Sequence, residues 1–300
     1  MHPRRKLSRK TGQRNPRSRG LDRMPSAAIL RVMNREDARV AQAVRREIPA
    51  IARAVDAIAV RLRGGGRMIY VGAGTSGRLA VLDAAECPPT FGVSPKLVQA
   101  CIAGGKRALT GAVEGAEDSR TNGIRDLRRK KVSARDAVVG IAASGTTPYV
   151  LGAMEYARSQ GALTVGITAN RNSPLTRAVR IAITPEAGPE VLAGSTRLKA
   201  GTSQKMVLNM LSTAVMVRLG HVYDNWMIGV ALTNKKLRER GRRILAEASG
   251  RTVSAAERAL RQSGHNLRVA LVMLKRNVDA RTARERLQRA GGNLRRALGE

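Results

Sequence analysis

The 300-residue chain is long enough for one large α/β domain with small helical additions, and a hydrophobic content of 43% excludes a disordered polypeptide. Aromatic residues make up only 2%, which argues against a single-strand nucleic-acid binder because such proteins stack bases on aromatic rings. The net charge of +33 suits an anionic partner, but the basic residues are scattered, so most of this charge is expected to be solvated surface. No apolar run approaches the roughly 18 residues of a membrane-spanning helix, and no signal peptide is recognisable.

The N-terminal part of the sequence divides into a basic arm and a helical segment. Residues 1–23 hold nine Arg or Lys against one Asp, which predicts a flexible arm able to bind polyanions weakly. Residues 24–62 carry apolar side chains at spacings of three and four, which predicts N-terminal helices with Ser26 as an N-cap. The run Gly64-Gly65-Gly66 ends this pattern.

Strand and helix patterns then alternate along the chain. Five short apolar runs are predicted strands: "RMIYVGAG", "KLVQACIAGG", "DAVVGIAASG", "LTVGITAN" and "VRIAITPEAG". Helical stretches separate them, including "ALTGAVEGAEDSRTNGIRDL", and a long helix "GTSQKMVLNMLSTAVMVRLG" follows. This order predicts an α/β fold with a doubly wound, mostly parallel five-stranded sheet.

Residues 240–300 are predicted to form a small helical subdomain with an internal repeat. "AERALRQSGHNLRVAL" (256–271) is similar to "ARERLQRAGGNLRRAL" (283–298), and each copy has a Gly-containing turn before Asn-Leu-Arg. The pattern resembles a ubiquitin-associated (UBA-like) three-helix unit, and a structural cap is its expected role.

Three hydroxyl-rich stretches are candidate phosphate-binding elements. "GAGTSGR" (72–78) and "ASGTTP" (143–148) each lie between a predicted strand and a helix, where backbone N–H groups and the helix dipole favour an anion. "GSTRLKAGTSQK" (194–205) adds hydroxyls and cations ahead of the long helix. The first stretch also matches GxGxxG, but no acidic residue ends the second strand to hold a ribose, so a sugar phosphate fits better than a dinucleotide.

Carboxylates in two other motifs are candidates for acid–base chemistry. Glu86 lies in "DAAECPPTFG", whereas Glu114 and Glu117 lie in "VEGAED" at a spacing that would put them on one helical face. On a surface helix, glutamates at this spacing usually carry no function. A straight helix from Ser76 to Glu86 would span about 15 Å. This length exceeds the reach of a sugar 6-phosphate to its C3 ether, so either the helix bends or ends near Asp83, or Glu86 serves a site completed by a second subunit.

These motifs resemble the N-acetylmuramic acid 6-phosphate etherase family, whose members carry a sugar isomerase (SIS) domain. The resemblance extends over residues 13–298 and is carried by "YVGAGTSGRLAVLDAAECPPTFG", "AVEGAEDS", "GIAASGTTPYV" and "GSTRLKAGTSQKMVLNMLST". It implies an SIS domain at 58–221, a cytoplasmic homodimer, and neither metal nor nucleotide as cofactor. The implied reaction cleaves the D-lactyl ether of N-acetylmuramic acid 6-phosphate, giving N-acetylglucosamine 6-phosphate and D-lactate during recycling of cell-wall sugars.

The resemblance also implies roles for individual residues. Glu86 matches the proton donor to the departing lactate, and Glu117 matches the partner acid or base. Pro88 and Pro89 are expected to end the helix and fix the direction of the Glu86 carboxylate. The implied substrate-binding positions are Gly74, Thr75, Ser76, Arg78, Ser144, Thr146, Thr147, Ser195, Thr196 and Lys199. Thr146 departs from the longer basic residue that many relatives carry in this loop, so phosphate binding is expected to depend on other cations, with the reaction type unchanged.

Other functions remain open on the sequence alone. A regulatory SIS protein would sense sugar phosphates without turnover, but such chains are about twice as long. An aldose–ketose isomerase would share the loops, although the Glu86 and "VEGAED" motifs argue against it. Cys87 and Cys101 form no CxxC pair and the three histidines are isolated, so the sequence indicates a reduced compartment and no metal-ligand spacing.

Overall fold

The computed structural model describes residues 10–230, 232 and 234–300, and these form two compact units. The first unit comprises the chain up to Ala84 together with Lys96–Leu211. The second comprises Ala85–Pro95 together with Ser212–Glu300. None of the helices in the described ranges is long and apolar enough to cross a membrane.

A five-stranded parallel sheet lies at the centre of the first unit. Its strands are β1 (Met68–Gly72), β2 (Val98–Ile102), β3 (Ala137–Ile141), β4 (Leu163–Ile167) and β5 (Ile181–Ile183), in the order β2-β1-β3-β4-β5. All neighbouring strands pair in parallel, and β1, β3 and β4 are completely buried. The prediction of a doubly wound parallel sheet is confirmed, since continuous apolar runs are what strands covered on both faces require.

Helices account for most of the remaining chain. Those that contribute to the first unit are α1 (Ser26–Arg46), α2 (Ile48–Arg63), α3 (Gly74–Phe91), α4 (Arg120–Arg129), α5 (Pro148–Ser159), α6 (Pro174–Ala178) and α7 (Lys199–Arg218). Ser26 is the first residue of α1 and Pro25 takes the N-cap position, so the predicted cap is off by one residue. The last residues of α3 and α7 belong to the second unit.

Two local predictions are wrong. Helix α3 does not end at Asp83 or at the prolines, because it continues through Pro88 and Pro89 to Phe91. The stretch from Ala108 to Leu127 is not one helix: it contains 3-10 turns at Gly105–Leu109 and Ala116–Asp118, and α4 begins only at Arg120. Gly115, with φ of 67°, interrupts any helix here, so Glu114 and Glu117 do not share a helical face.

The described part of the predicted N-terminal arm is packed onto the first unit. It forms 3-10 turns at Lys10–Gly12, Pro16–Ser18 and Leu21–Arg23. Asn15 is buried and donates from its side-chain amide to Glu36 at 2.7 Å and to the Pro189 carbonyl at 3.0 Å. These contacts differ from the flexible arm predicted for residues 1–23, whose first nine residues lie outside the described ranges.

The second unit has its own hydrophobic core. Its helices are α8 (Lys235–Ser249), α9 (Val253–Gln262), α10 (Leu267–Arg276), α11 (Ala280–Arg289) and α12 (Leu294–Leu298). The predicted repeat is visible as matching N-caps, since Asn266 accepts from the backbone N–H groups at the start of α10 and Asn293 from Arg296 at the start of α12. A UBA-like arrangement is not confirmed.

Candidate active site

The first predicted loop leads directly from β1 into α3 at the carboxyl edge of the sheet. A Cβ on Gly72 would lie 2.8 Å from the Gly77 nitrogen, and one on Gly77 would lie 2.5 Å from Cγ1 of Ile102. Glycine is therefore required at both positions, because the turn folds tightly on itself and the helix start touches β2. This packing accounts for the first and third glycines of GxGxxG, and the φ of 53° at Gly74 accounts for the second, without any dinucleotide.

The second predicted loop follows β3, the strand beside β1. The register pairs Gly72 with Ile141, so the two loops emerge side by side. In the strand order β2-β1-β3-β4-β5, strand β2 is added on one side of β1 and strands β3 to β5 on the other. Open parallel sheets bind ligands at such a switch point, which here lies between β1 and β3. The sheet thus brings residues 73–77 and 142–147 to one crevice edge.

Hydroxyl groups in the second loop are held close together. The Ser144 hydroxyl accepts from the Thr146 backbone N–H at 3.3 Å and from the Thr146 hydroxyl at 3.0 Å. Gly145 has φ of 70°, and a side chain there would collide with Ser173. Thr147 precedes Pro148, the first residue of α5, and makes no side-chain cap. Thr147 therefore does not cap the first backbone N–H groups of α5, which begins directly after the hydroxyls of Ser144, Thr146 and Thr147.

The beginning of α7 packs against both loops. A Cβ on Gly201 would lie 3.4 Å from Cγ2 of Thr75, and Ala200 packs with Ala143 in a small apolar cluster. The structure therefore assembles the three hydroxyl-rich stretches predicted from the sequence. Ser195 and Thr196, both half-buried, lie in the turns just before α7.

Gln204 is a residue of this region that sequence reasoning missed. The Ser76 hydroxyl donates to Oε1 of Gln204 at 2.9 Å, and both side chains are buried. Gln204 follows Gly201 by three residues and so lies on the same face of α7. That spacing within "GTSQK" was the available signal.

Lys199 does not have the predicted substrate-binding role. Its side chain is only 1% exposed, and its ammonium donates to a Glu36 carboxylate oxygen and, at 3.2 Å, to the Ala187 carbonyl. Burial raises the pKa of Glu36, but the hydrogen bonds from Lys199 and Asn15 outweigh it, and the pKa is lowered overall. The Lys199 ammonium therefore pairs with groups of the protein itself, because a buried charge needs a partner.

A side chain of the protein also caps the N-terminus of α7. Glu190 is buried and accepts from the backbone N–H groups of Lys199 and Ala200, each at 2.9 Å. Burial raises the pKa of Glu190, although these two N–H groups favour its ionised form. A phosphate is therefore better served by the starts of α3 and α5 than by the start of α7.

Arg78 also has protein partners. Its Nε donates to the Ala108 carbonyl at 2.9 Å and to the Leu109 carbonyl at 3.2 Å, and its Nη2 donates to the Gly111 carbonyl at 2.7 Å. These bonds tie the start of α3 to the segment that follows β2. Arg78 therefore positions this segment, and its contact with a phosphate stays a prediction.

Glu117 is exposed in the 3-10 turn just before α4. The turn and α4 are anchored on α5: a side chain on Gly123 would collide with the Tyr149 carbonyl oxygen, and one on Gly152 with the Arg120 carbonyl oxygen. Because α5 starts from the second loop, the same helix pair positions Glu117 and the hydroxyls of that loop.

Glu86 is exposed on α3, in the part of the chain that belongs to the second unit. Its segment is held there by a close backbone contact, since a side chain on Gly92 would collide with the Gly229 carbonyl oxygen. Among the described residues, no group of three His, Cys, Asp or Glu side chains is arranged to hold a metal ion.

Comparison with known proteins decides the family. The chain is 53% identical over 285 residues to the N-acetylmuramic acid 6-phosphate etherase of Serratia proteamaculans (strain 568), covering 95% of this chain and 96% of the relative. The chain belongs to the N-acetylmuramic acid 6-phosphate etherase family. Etherases of Geobacillus thermodenitrificans (strain NG80-2) and Clostridium beijerinckii (strain ATCC 51743 / NCIMB 8052) are 51% and 48% identical, covering 96% and 97% of this chain and 98% and 95% of the relatives.

Family profiles agree with this assignment. The SIS domain profile matches residues 119–214, and the profile of the glucokinase regulatory protein N-terminal SIS domain matches residues 50–158. Together these ranges include the sheet and all three hydroxyl-rich stretches.

Proposed function

We propose that the protein cleaves the D-lactyl ether of N-acetylmuramic acid 6-phosphate, giving N-acetylglucosamine 6-phosphate and D-lactate in the recycling of cell-wall sugars. The observation that carries this proposal is the similarity to named etherases over 95% of the chain. The geometry supports it, because the hydroxyl-rich loops converge where a parallel sheet binds ligands. A regulatory or isomerase function is not favoured, since the full-length relatives are named etherases.

The sugar phosphate is proposed to bind at the starts of α3 and α5. The backbone N–H groups of their first turns and their helix dipoles attract an anion. The hydroxyls of Thr75, Ser76, Ser144, Thr146 and Thr147 add donors, and Gly74 allows close approach of the backbone. Ser195 and Thr196 remain candidates for contacts with the sugar. Lys199 is withdrawn from the predicted set because it is buried against Glu36.

The proposed reaction proceeds by elimination and then addition of water. In the open-chain sugar the aldehyde at C1 acidifies the C2 proton and accepts the electrons released when that proton leaves. Loss of the C3 ether then gives an unsaturated aldehyde, to which water adds at C3. Lactate leaves poorly as an alkoxide, so a general acid must protonate the ether oxygen.

Two glutamates are proposed to supply this acid–base chemistry. Glu86 donates the proton to the departing lactate, and Glu117 removes the C2 proton and later activates water. Both carboxylates are exposed in the single chain, which suits groups that must reach a substrate. We also propose that the protein is a cytoplasmic homodimer and that Glu86 serves a site shared between subunits.

Incubation with N-acetylmuramic acid 6-phosphate and enzymatic detection of D-lactate tests the function. Release of D-lactate and N-acetylglucosamine 6-phosphate in equal amounts is expected. No release above the background of heat-inactivated protein would contradict the proposal.

The basic N-terminus is proposed to bind polyanions weakly. Since residues 11–23 include packed side chains, the test removes only residues 1–9, which carry four of the arm's basic residues. The truncated protein should elute from a DNA column at lower salt, because each lost contact with a DNA phosphate weakens the binding. It should still release lactate at the normal rate. Equal retention would assign binding to the general basic surface.

A further inference from the structure

Gln204 carries a buried polar group that the fold leaves unsatisfied. Its side chain is 2% exposed, and among the residues that the structure describes its amide nitrogen Nε2 finds no hydrogen-bond partner. Buried donors are almost always paired in native proteins, so an unpaired one calls for a functional explanation. The other end of the same amide, Oε1, accepts the hydrogen bond from Ser76.

This arrangement puts the Ser76 hydroxyl in the wrong state to bind phosphate. A serine hydroxyl has one hydrogen, and here it is donated in a hydrogen bond to Oε1 of Gln204 at 2.9 Å. The oxygen of Ser76 is then only an acceptor. A phosphate dianion also presents only acceptors, so it needs Ser76 as a donor.

A half-turn of the Gln204 amide would give Nε2 a partner and free the Ser76 proton for a ligand. With Nε2 in the place of Oε1, the amide donates to the Ser76 oxygen, and the Ser76 proton becomes free for a ligand. Either orientation keeps one hydrogen bond between the two side chains, but in the empty site the turned one leaves both Oε1 of Gln204 and the Ser76 hydroxyl hydrogen without partners. A phosphate beside Ser76 therefore favours the orientation that supplies it with a donor.

We propose that Gln204 is a positioning residue that sets the proton of Ser76 for phosphate recognition. The proposal rests on the proposed function only in placing the 6-phosphate at Ser76. Only the side-chain amide of Gln204 has to move. Helix α7 already lies against the first loop, since a Cβ on Gly201 would lie 3.4 Å from Cγ2 of Thr75. No backbone shift is needed.

Isothermal titration calorimetry with inorganic phosphate measures binding and tests the proposal without turnover. Gln204→Met removes the amide donor that would hold the Ser76 hydroxyl oriented toward the ligand, at similar side-chain size, and should weaken phosphate binding about 10-fold. Gln204→Glu can only accept from Ser76 and adds a negative charge, so its loss should be larger. Gln160→Met, at an exposed glutamine after α5, is the matched control and should bind as wild type does.

Two further results separate positioning from a merely structural role. In a Ser76→Ala background, Gln204→Met should cause little additional loss, because Gln204 acts through Ser76. In the lactate assay, Gln204→Met should raise KM far more than it lowers kcat. Normal phosphate binding by Gln204→Met, or equal losses with and without Ser76, would overturn the proposal. If Gln204→Met does not fold, Gln204→Glu is compared with and without Ser76→Ala: a larger loss when Ser76 is present supports the proposal, and wild-type binding or equal losses would overturn it.

Discussion

The buried pair of Lys199 and Glu36 makes a prediction that separates folding from substrate binding. Glu36→Gln keeps the side-chain size but removes the charge that compensates the buried ammonium. Removing one member of a buried pair typically costs about 3–5 kcal/mol. For a domain of this size that lowers the melting temperature by about 6–20 °C.

The control and the double variant sharpen the test. Glu155→Gln removes the partner of Arg120 from an exposed ion pair of 2.6 Å, where both side chains are more than half exposed, and should change melting by little. Combining Glu36→Met with Lys199→Met removes both charges and should recover much of the loss. Calorimetric scans of the four proteins at neutral pH provide the comparison.

The pH dependence of this effect has a defined sign. Because the pKa of Glu36 is lowered in the folded protein, its stabilisation is present above its ordinary pKa of 4.5 and is lost as pH falls through the lower folded value. The difference between wild type and Glu36→Gln should therefore shrink below about pH 4.5. The structural assignment of Lys199 is refuted if Glu36→Gln has the same melting temperature as Glu155→Gln. It is also refuted if Lys199→Met has a normal melting temperature but raises KM as strongly as Ser144→Ala does.

Two further predictions concern the carboxylates and the α4–α5 contact. Glu86→Gln should lower lactate release about 100- to 10,000-fold while still exchanging deuterium into C2 of the substrate, whereas Glu117→Gln should lose exchange as well. Nuclear magnetic resonance in deuterated water measures both, and exchange by Glu117→Gln without exchange by Glu86→Gln would reverse the roles. Gly123→Ala should destabilise by about 1–3 kcal/mol or more because its Cβ collides with the Tyr149 carbonyl oxygen. In urea unfolding the control Gly111→Ala, whose Cβ has no neighbour within 3.4 Å, should be nearly neutral, and equal losses would contradict the packing argument.

The sheet and two of its loops were predictable because their signals are local. The run of Met68–Gly72 is buried on both faces, and "GAGTSG" needs glycine for steric reasons that the structure confirms. The Asn266 and Asn293 caps were visible as a repeat of the same three residues. Each of these features depends on neighbours within a few positions of the sequence.

The failures involve partners far apart in sequence. Lys199 looked like a ligand for phosphate because its partner, Glu36, lies 163 residues away. Gln204 was missed because its hydrogen-bond partner, Ser76, lies 128 residues away. The helix predicted through "VEGAED" failed for a local reason, since Gly115 adopts a left-handed conformation that helical periodicity does not reveal.

The central claim is tested most directly by running the wild-type reaction in water enriched in oxygen-18 and deuterium. Elimination followed by addition predicts D-lactate without oxygen-18 in its hydroxyl group, and N-acetylglucosamine 6-phosphate with oxygen-18 at C3 and deuterium at C2. Mass spectrometry of the separated products locates both labels. Oxygen-18 in the lactate hydroxyl, or no lactate at all, would contradict the account.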